Sequence, residues 1–180
     1  MTSVALYLCL VAAVGLERLA ELVVSQRHLR WARSRGGVET GRGHYPAMVG
    51  LHVVLLAGCV AEVAWLDRPF VAALGWPMLA LVVASQSLRW WCIATLGRQW
   101  NARVIIVPGL TRVSSGPYRW LRHPMYVGVL LGMWATPRMS FGHLLLALAM
   151  TGYVLIAMRY EERDLIQRFG SRYSHWRGAA

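Results

Sequence analysis

The sequence contains no lysine: all 19 of its basic residues are arginine, set against only 8 acidic residues in 180. It also lacks a GxGxxG run, a Walker loop, an HExxH and a CxxC. These absences exclude a dinucleotide-binding βαβ unit, a P-loop and the common zinc frameworks, each of which needs its glycine turn or its paired ligands. No metal site is expected. The three cysteines, Cys9, Cys59 and Cys92, lie in apolar blocks without metal-like spacing and read as small core hydrophobes. No positive segment precedes the first apolar run, so a cleaved signal peptide is not expected. The chain shows neither an internal repeat nor a low-complexity stretch. It shows no strict apolar–polar alternation either, and an open sheet cannot satisfy its backbone in lipid, so spanning strands are implausible.

What the chain has is apolar length. Hydrophobic residues make up 57% of it, and the mean hydropathy is +0.43. Five apolar segments stand out, at about 4–24, 46–66, 71–96, 124–136 and 141–158. A hydrocarbon core of ~30 Å takes about 20 helical residues. The fourth segment falls short of that and stops at Pro137, which fits a tilted partner of the fifth. The expected fold is all-α: a polytopic membrane protein with about five transmembrane helices, the last two a hairpin. A short cytosolic amphipathic C-terminal helix should follow. There Leu165, Ile166 and Phe169 oppose Arg163, Asp164, Gln167 and Arg168, and Gly170 offers a stop.

The arginines fall on alternate connections. Arg27, Arg30, Arg33, Arg35 and Arg42 follow the first segment, Arg98, Arg103, Arg112, Arg119 and Arg122 follow the third, and Arg159, Arg163, Arg168, Arg172 and Arg177 follow the fifth. The other two connections carry only Arg68 and Arg138. The positive-inside rule then places the first and third connections and the tail in the cytoplasm, with the N-terminus outside. This bias accounts for the net charge of +11 without nucleic acid, which is not an expected partner; the bilayer is.

Chemistry concentrates at the fourth segment. Pro124 suits the first position of a helix, where its missing N–H would be orphaned anyway. The helix start that follows can bind an anion, with His123 beside it, or Pro124 can simply open the helix and His123 cap it. Tyr118, Trp120 and Tyr126 read either as an interfacial belt or as stacking surfaces for a planar or cationic ligand. Gly128 and Gly132 point to close helix packing. Glu161 and Glu162 are either a solvated helix end or acceptors for ligand hydroxyls near a positive charge. Ionisable residues also occur within apolar blocks: Glu17, Arg18, Glu21, Glu62 and Arg89. At membrane depth these are functional candidates, and an interhelical pair of Arg89 with Glu21 or Glu17 is the structural alternative. His52, two turns into the second segment, and His44 and Tyr45 at its mouth are candidate substrate contacts.

The run Gly116-Pro117-Tyr118-x-x-x-Arg122-His123-Pro124-x-Tyr126-x-Gly128, followed by Glu161-Glu162 and Phe169-Gly170-x-x-Tyr173, resembles the isoprenylcysteine carboxyl methyltransferase family. These are multi-pass membrane enzymes that use S-adenosylmethionine. Residues 16–22, 43–49 and 100–105 further resemble a bacterial branch, some members of which methylate alkylpyrones or alkylresorcinols. The resemblance implies one domain over 1–180. In it, 1–97 form three N-terminal helices, and 98–180 carry the cofactor-binding loop, hairpin and tail. It implies an S-adenosylmethionine-dependent O-methyltransferase acting on a carboxylate or hydroxyl oxygen of a lipophilic or prenylated acceptor, with S-adenosylhomocysteine as product. The site would face the cytoplasmic side of a bacterial plasma membrane. His123, Pro124, Met125 and Tyr126 would line the cofactor site with Tyr118, Val113, Glu161 and Glu162. His52, Glu21 and Arg89 are the candidate acceptor contacts. Eukaryotic members place a substrate-binding arginine one turn before the residue equivalent to Glu161; here Ala157 stands there, and Arg159 is the candidate for the catalytic role. Phospholipid or sterol methylation and a non-catalytic scaffold are the rival readings.

Overall fold

The computed structural model describes residues 3–40, 45–65, 70–111, 113–135 and 141–169. His44, Arg112, Pro137 and the tail beyond Phe169 lie outside the described residues. Five helices form where the apolar segments predict them: α1 (Ser3–Ser34), α2 (Tyr45–Trp65), α3 (Ala72–Leu96), α4 (Pro124–Trp134) and α5 (Phe141–Phe169). Among the described residues, three stretches are long and apolar enough to cross a membrane: α2, Ala72–Gln99 and Gly142–Arg163. α1 has the length, but Glu17, Arg18 and Glu21 interrupt its apolar run. α4 is an apolar helix too short to cross alone.

Polarity is arranged inside out. Leu16, Leu19, Val53, Val83, Leu148 and Leu155 are exposed, whereas Glu21, Ser25, Ser85, Arg89 and His143 are buried. Water would penalise both halves of that arrangement, and a hydrocarbon surround favours both. The apolar core is small. Met133, Met150 and Val154 lie at its centre, with Leu51, Leu55 and Tyr126 packed around them.

Close approach of α3 and α4 depends on the two glycines. A Cβ on Gly128 would come within 2.9 Å of Arg89 Cγ, and one on Gly132 within 2.7 Å of Ser85 Oγ. Ser85 donates to the Gly128 carbonyl at 2.7 Å. The Arg89 stem thus lies against Gly128 while its head reaches α1, binding Glu21 through Nε at 3.2 Å and Nη2 at 2.6 Å. Arg18 bonds Glu21 at 2.8 Å and Gln86 at 2.7 Å. Of the pairings open in the sequence, Arg89 takes Glu21.

Two expectations need correction. The fold is not wholly α-helical: β1 (Val38–Thr40) pairs antiparallel with β2 (Val104–Ile106), Val38 opposite Ile106 and Thr40 opposite Val104. Val104–Ile106 of the β-branched run therefore serve as one edge of a two-stranded ribbon. Asn101 fastens it to α1. Its amide donates to the Ser25 carbonyl at 3.1 Å, and its carbonyl oxygen accepts from Ser25 Oγ at 3.0 Å and from the Arg103 N–H at 2.9 Å. Glu39 accepts from Arg103 at 2.8 Å, and the Arg103 guanidinium stacks on Tyr45 at 4.3 Å. The second correction concerns the tail: α5 continues unbroken to Phe169, so residues 163–169 extend the last helix rather than start a separate one.

Candidate active site at the start of α4

Pro124 is the first residue of α4, as its fixed φ favours, and it is fully buried. His123 precedes it with φ −125° and ψ 60° and makes no side-chain cap. Its imidazole is therefore free to turn toward α5. There Nδ1 lies 3.8 Å from Glu161 Oε2, and Nε2 lies 3.5 Å from Glu162 Oε1. Tyr126, one turn along α4, donates its hydroxyl to Glu161 Oε2 at 3.0 Å, and its ring lies 5.7 Å from that of His123. His123, Tyr126, Glu161 and Glu162 thus form one cluster, with the carboxylates partly open and the imidazole mostly covered.

A short 3₁₀ turn, Gly116–Arg119, presents Tyr118 toward the same region. Burial first, then the neighbouring Cys92 thiol and the Glu161 charge, push the Tyr118 phenol far above its ordinary range. Tyr118 is therefore a neutral hydroxyl at physiological pH and not a base. The turn depends on Gly116, whose φ is +56° and whose notional Cβ would lie 2.6 Å from Thr95 Oγ1. Gly116→Ala is expected to cost about 1–2 kcal/mol for the left-handed backbone alone, with more from the clash. A lowered unfolding midpoint in detergent would register it, and an unchanged midpoint would contradict the turn's geometry.

The cluster suits S-adenosylmethionine. His123 Nε2 is buried and has no hydrogen-bond partner, so it offers a hydrogen-bonding position to a ligand. Two carboxylates side by side favour a cation with several donors, such as a sulfonium with ribose hydroxyls and an ammonium. The positive end of the α4 dipole favours a carboxylate.

The remaining predicted residues fall elsewhere. Met125 is half-buried in the first turn of α4, and Val113 half-buried in the loop before the 3₁₀ turn. Arg159 is exposed. Two residues before Glu161, it stands about 200° from that residue around α5 but only about 60° from Glu162, three residues on. Glu21 and Arg89 sit in the buried ion-pair network. Arg89 also lines a partly open cavity of about 100 Å³ to which all five helices contribute, together with His52, Arg18, Ser85, Gln86 and His143. The reading of the sequence passed over Ser85, Gln86 and His143. Polar side chains in otherwise apolar segments were the available signal.

Half of the chain, residues 78–167, matches the model of the isoprenylcysteine carboxyl methyltransferase (ICMT) family. An uncharacterized protein of Bacillus subtilis, YpbQ, is 29% identical over 157 residues, covering 86% of this chain and 92% of its own length. A methanethiol S-methyltransferase of Mycobacterium tuberculosis is 50% identical over 60 residues, 33% of this chain and 25% of that protein. Methanethiol S-methyltransferase 2 of Bradyrhizobium diazoefficiens is 55% identical over 60 residues, 33% and 23% respectively. The chain thus spans about a quarter of the length of those two methyltransferases. No solved structure matches it. By the family model, spanning half its length and containing the whole His123–Glu162 cluster, the chain belongs to the isoprenylcysteine carboxyl methyltransferase family.

Proposed function

We propose that this chain is a membrane methyltransferase that uses S-adenosylmethionine as donor and a lipophilic molecule as acceptor. The observation that carries the reading is the convergence of His123 and Tyr126 of α4 on Glu161 and Glu162 of α5. The donor, when bound, supplies a methyl group already activated on a sulfonium. The protein's work is then alignment and exclusion of water. Glu161 and Glu162 accept hydrogen bonds from the donor's hydroxyls or ammonium. Tyr126 fixes the Glu161 carboxylate, and His123 fills the space between the two acids. Tyr118, held neutral, donates without competing as a base.

All five helices cross or enter the bilayer in this reading, α4 as the short partner of α5. The cluster lies on the cytoplasmic, arginine-rich side with the N-terminus outside. An acceptor slides between helices from the lipid. The family likeness favours a carboxylate or hydroxyl oxygen as the methylated atom. Thiol sulfur is the second reading, favoured by the methanethiol S-methyltransferases among the similar proteins.

Calorimetric titration of S-adenosylhomocysteine into detergent-purified protein tests the proposal. Wild type is expected to bind, and His123→Ala to lose binding with its helical circular dichroism intact. A folded wild type that gives no heat of binding would overturn the reading.

A further inference from the structure

We propose that residues 119–122, together with Arg98 and Trp91, bind the headgroup of an anionic phospholipid, and that the bound headgroup tightens the donor site. The first half stands on the surface alone. The second rests on the methyltransferase reading.

The surface arises because one short turn straddles α3. Gly116 lies against Thr95 and the Trp91 indole: a Cβ there would come within 2.6 Å of Thr95 Oγ1 and 3.2 Å of Trp91 Nε1. From this seat the chain sends side chains two ways. Tyr118 turns toward Cys92 and Glu161, on the donor side. Trp120 turns toward Trp91, the ring centroids 5.9 Å apart and the planes at 64°. Cys92 and Trp91 are neighbours on α3, about 100° apart around its axis, so the two side chains meet different faces of the helix. Trp91 is 46% exposed and Trp120 69%. The indole pair therefore faces out of the bundle, away from the donor cluster.

Depth follows from α3. The stretch Ala72–Gln99 holds 28 residues, which rise about 42 Å against a hydrocarbon core of ~30 Å. A centred span thus leaves about 6 Å over at each end. Trp91 lies about 12 Å before Gln99 along the axis, and so about 6 Å inside the acyl boundary. Trp120 leans on it from the loop side, at the level where tryptophan is enriched in membrane proteins. Leu121, exposed as well, places a second apolar side chain beside Trp120.

Charge selects the lipid. Arg119 and Arg122 bracket Trp120 and Leu121, and both are exposed. Arg98 is also exposed, three residues past Thr95 in the turn Gly97–Gln99. Among the described residues, neither Arg98 nor Arg119 pairs with a carboxylate. A guanidinium at the headgroup level with no protein acid beside it matches phosphate, which its fork can bind in a bidentate way. A zwitterionic lipid carries its own cation next to that phosphate, and an anionic one does not. Each arginine near an anionic surface contributes about fivefold to binding, or ~1 kcal/mol.

The segment's place in the chain supplies the coupling. Residues 119–122 join two residues of the donor site, Tyr118 and His123. The Pro117 carbonyl accepts from the Trp120 N–H at 3.3 Å and from the Leu121 N–H at 3.1 Å, while the side chains of Arg119, Trp120, Leu121 and Arg122 point outward. A headgroup on the arginines and an indole in the lipid fix this segment. Less freedom is then left for the donor to remove when it binds Tyr118 and His123.

Headgroup selectivity is measured without any donor. The protein is reconstituted in phosphatidylcholine bilayers with a trace of spin-labelled phosphatidylglycerol or phosphatidylcholine, and electron spin resonance reads the motionally restricted share. Wild type is expected to favour phosphatidylglycerol severalfold. Arg98→Gln with Arg119→Gln should remove most of that preference. Arg27→Gln with Arg30→Gln, two exposed arginines near the C-terminal end of α1, should keep it. Equal losses in the two pairs would mean diffuse attraction to a basic face and would overturn the site.

Coupling is measured by titrating S-adenosylhomocysteine, which has no net charge and so is not concentrated by a charged surface. Wild type is expected to bind it about fivefold more tightly in bilayers containing phosphatidylglycerol than in phosphatidylcholine alone, the low end for coupled sites. The Arg98→Gln, Arg119→Gln protein and Trp120→Ala should bind alike in both, and Trp120→Phe, which keeps a ring in the lipid, should retain the difference. A wild type indifferent to phosphatidylglycerol overturns the coupling. A wild type that binds no S-adenosylhomocysteine in either bilayer defeats the donor reading and the coupling with it, and the resonance measurement then decides the headgroup site by itself.

Discussion

Glu161→Ala is expected to weaken S-adenosylhomocysteine binding by about ten- to a hundredfold. Hydrogen bonds to a charged group contribute roughly 1.5–3 kcal/mol each, and Glu161 is the point on which the cluster converges. It accepts from Tyr126 at 3.0 Å and faces His123 at 3.8 Å. Removing it deprives the ligand of an acceptor and leaves the Tyr126 hydroxyl without the carboxylate that orients it. Tyr126→Phe keeps the carboxylate and loses only its anchor, so its effect should be smaller. Titration of both variants checks the order. A Glu161→Ala protein that binds as wild type does would remove the carboxylate from the site.

Arg89→Ala is expected to destabilise the fold by about 3 kcal/mol, the lower end of the range for breaking a buried ion pair. The lower end applies because Arg18 still contacts Glu21 at 2.8 Å. The loss should exceed that of truncating an exposed arginine such as Arg159 by several fold. The stem of Arg89 also fills the gap beside Gly128, so truncation loosens the α3–α4 contact as well. The double variant Arg89→Met with Glu21→Gln removes both charges and keeps volume, and should recover most of the loss. Unfolding midpoints in one detergent provide the comparison. A double variant less stable than Arg89→Ala would mean that the pair itself, rather than the stranded carboxylate, sets the cost.

The helices were legible because lipid makes apolar length the dominant signal: segments at 46–66 and 71–96 became α2 and α3 within a few residues. Pro124 marked the start of α4 because proline has one favoured place in a helix. His123, Tyr126, Glu161 and Glu162 were each named from sequence, and α4 and α5 bring them together. The β1–β2 ribbon was illegible because three-residue strands carry no period, and their pairing is set by Asn101 reaching Ser25, 76 positions away. The cavity was illegible for a related reason. Its polar lining comes one or two residues at a time from separate helices, and only their packing makes a site of them.

The ribbon also constrains how the chain is threaded. Strands that exchange backbone hydrogen bonds share one compartment, so residues 38–40 and 104–106 lie on the same face of the bilayer. In the proposed membrane reading the chain between them crosses an even number of times, and α2 and α3, both long and apolar enough to span, match that count. This parity does not depend on counting arginines. It makes α2 and α3 a down-and-up pair whose two ends are tied together, and it starts α4 from the side where α1 ended. Cysteines introduced at Gly36 and Gly109 should therefore react with a membrane-impermeant maleimide from one and the same side.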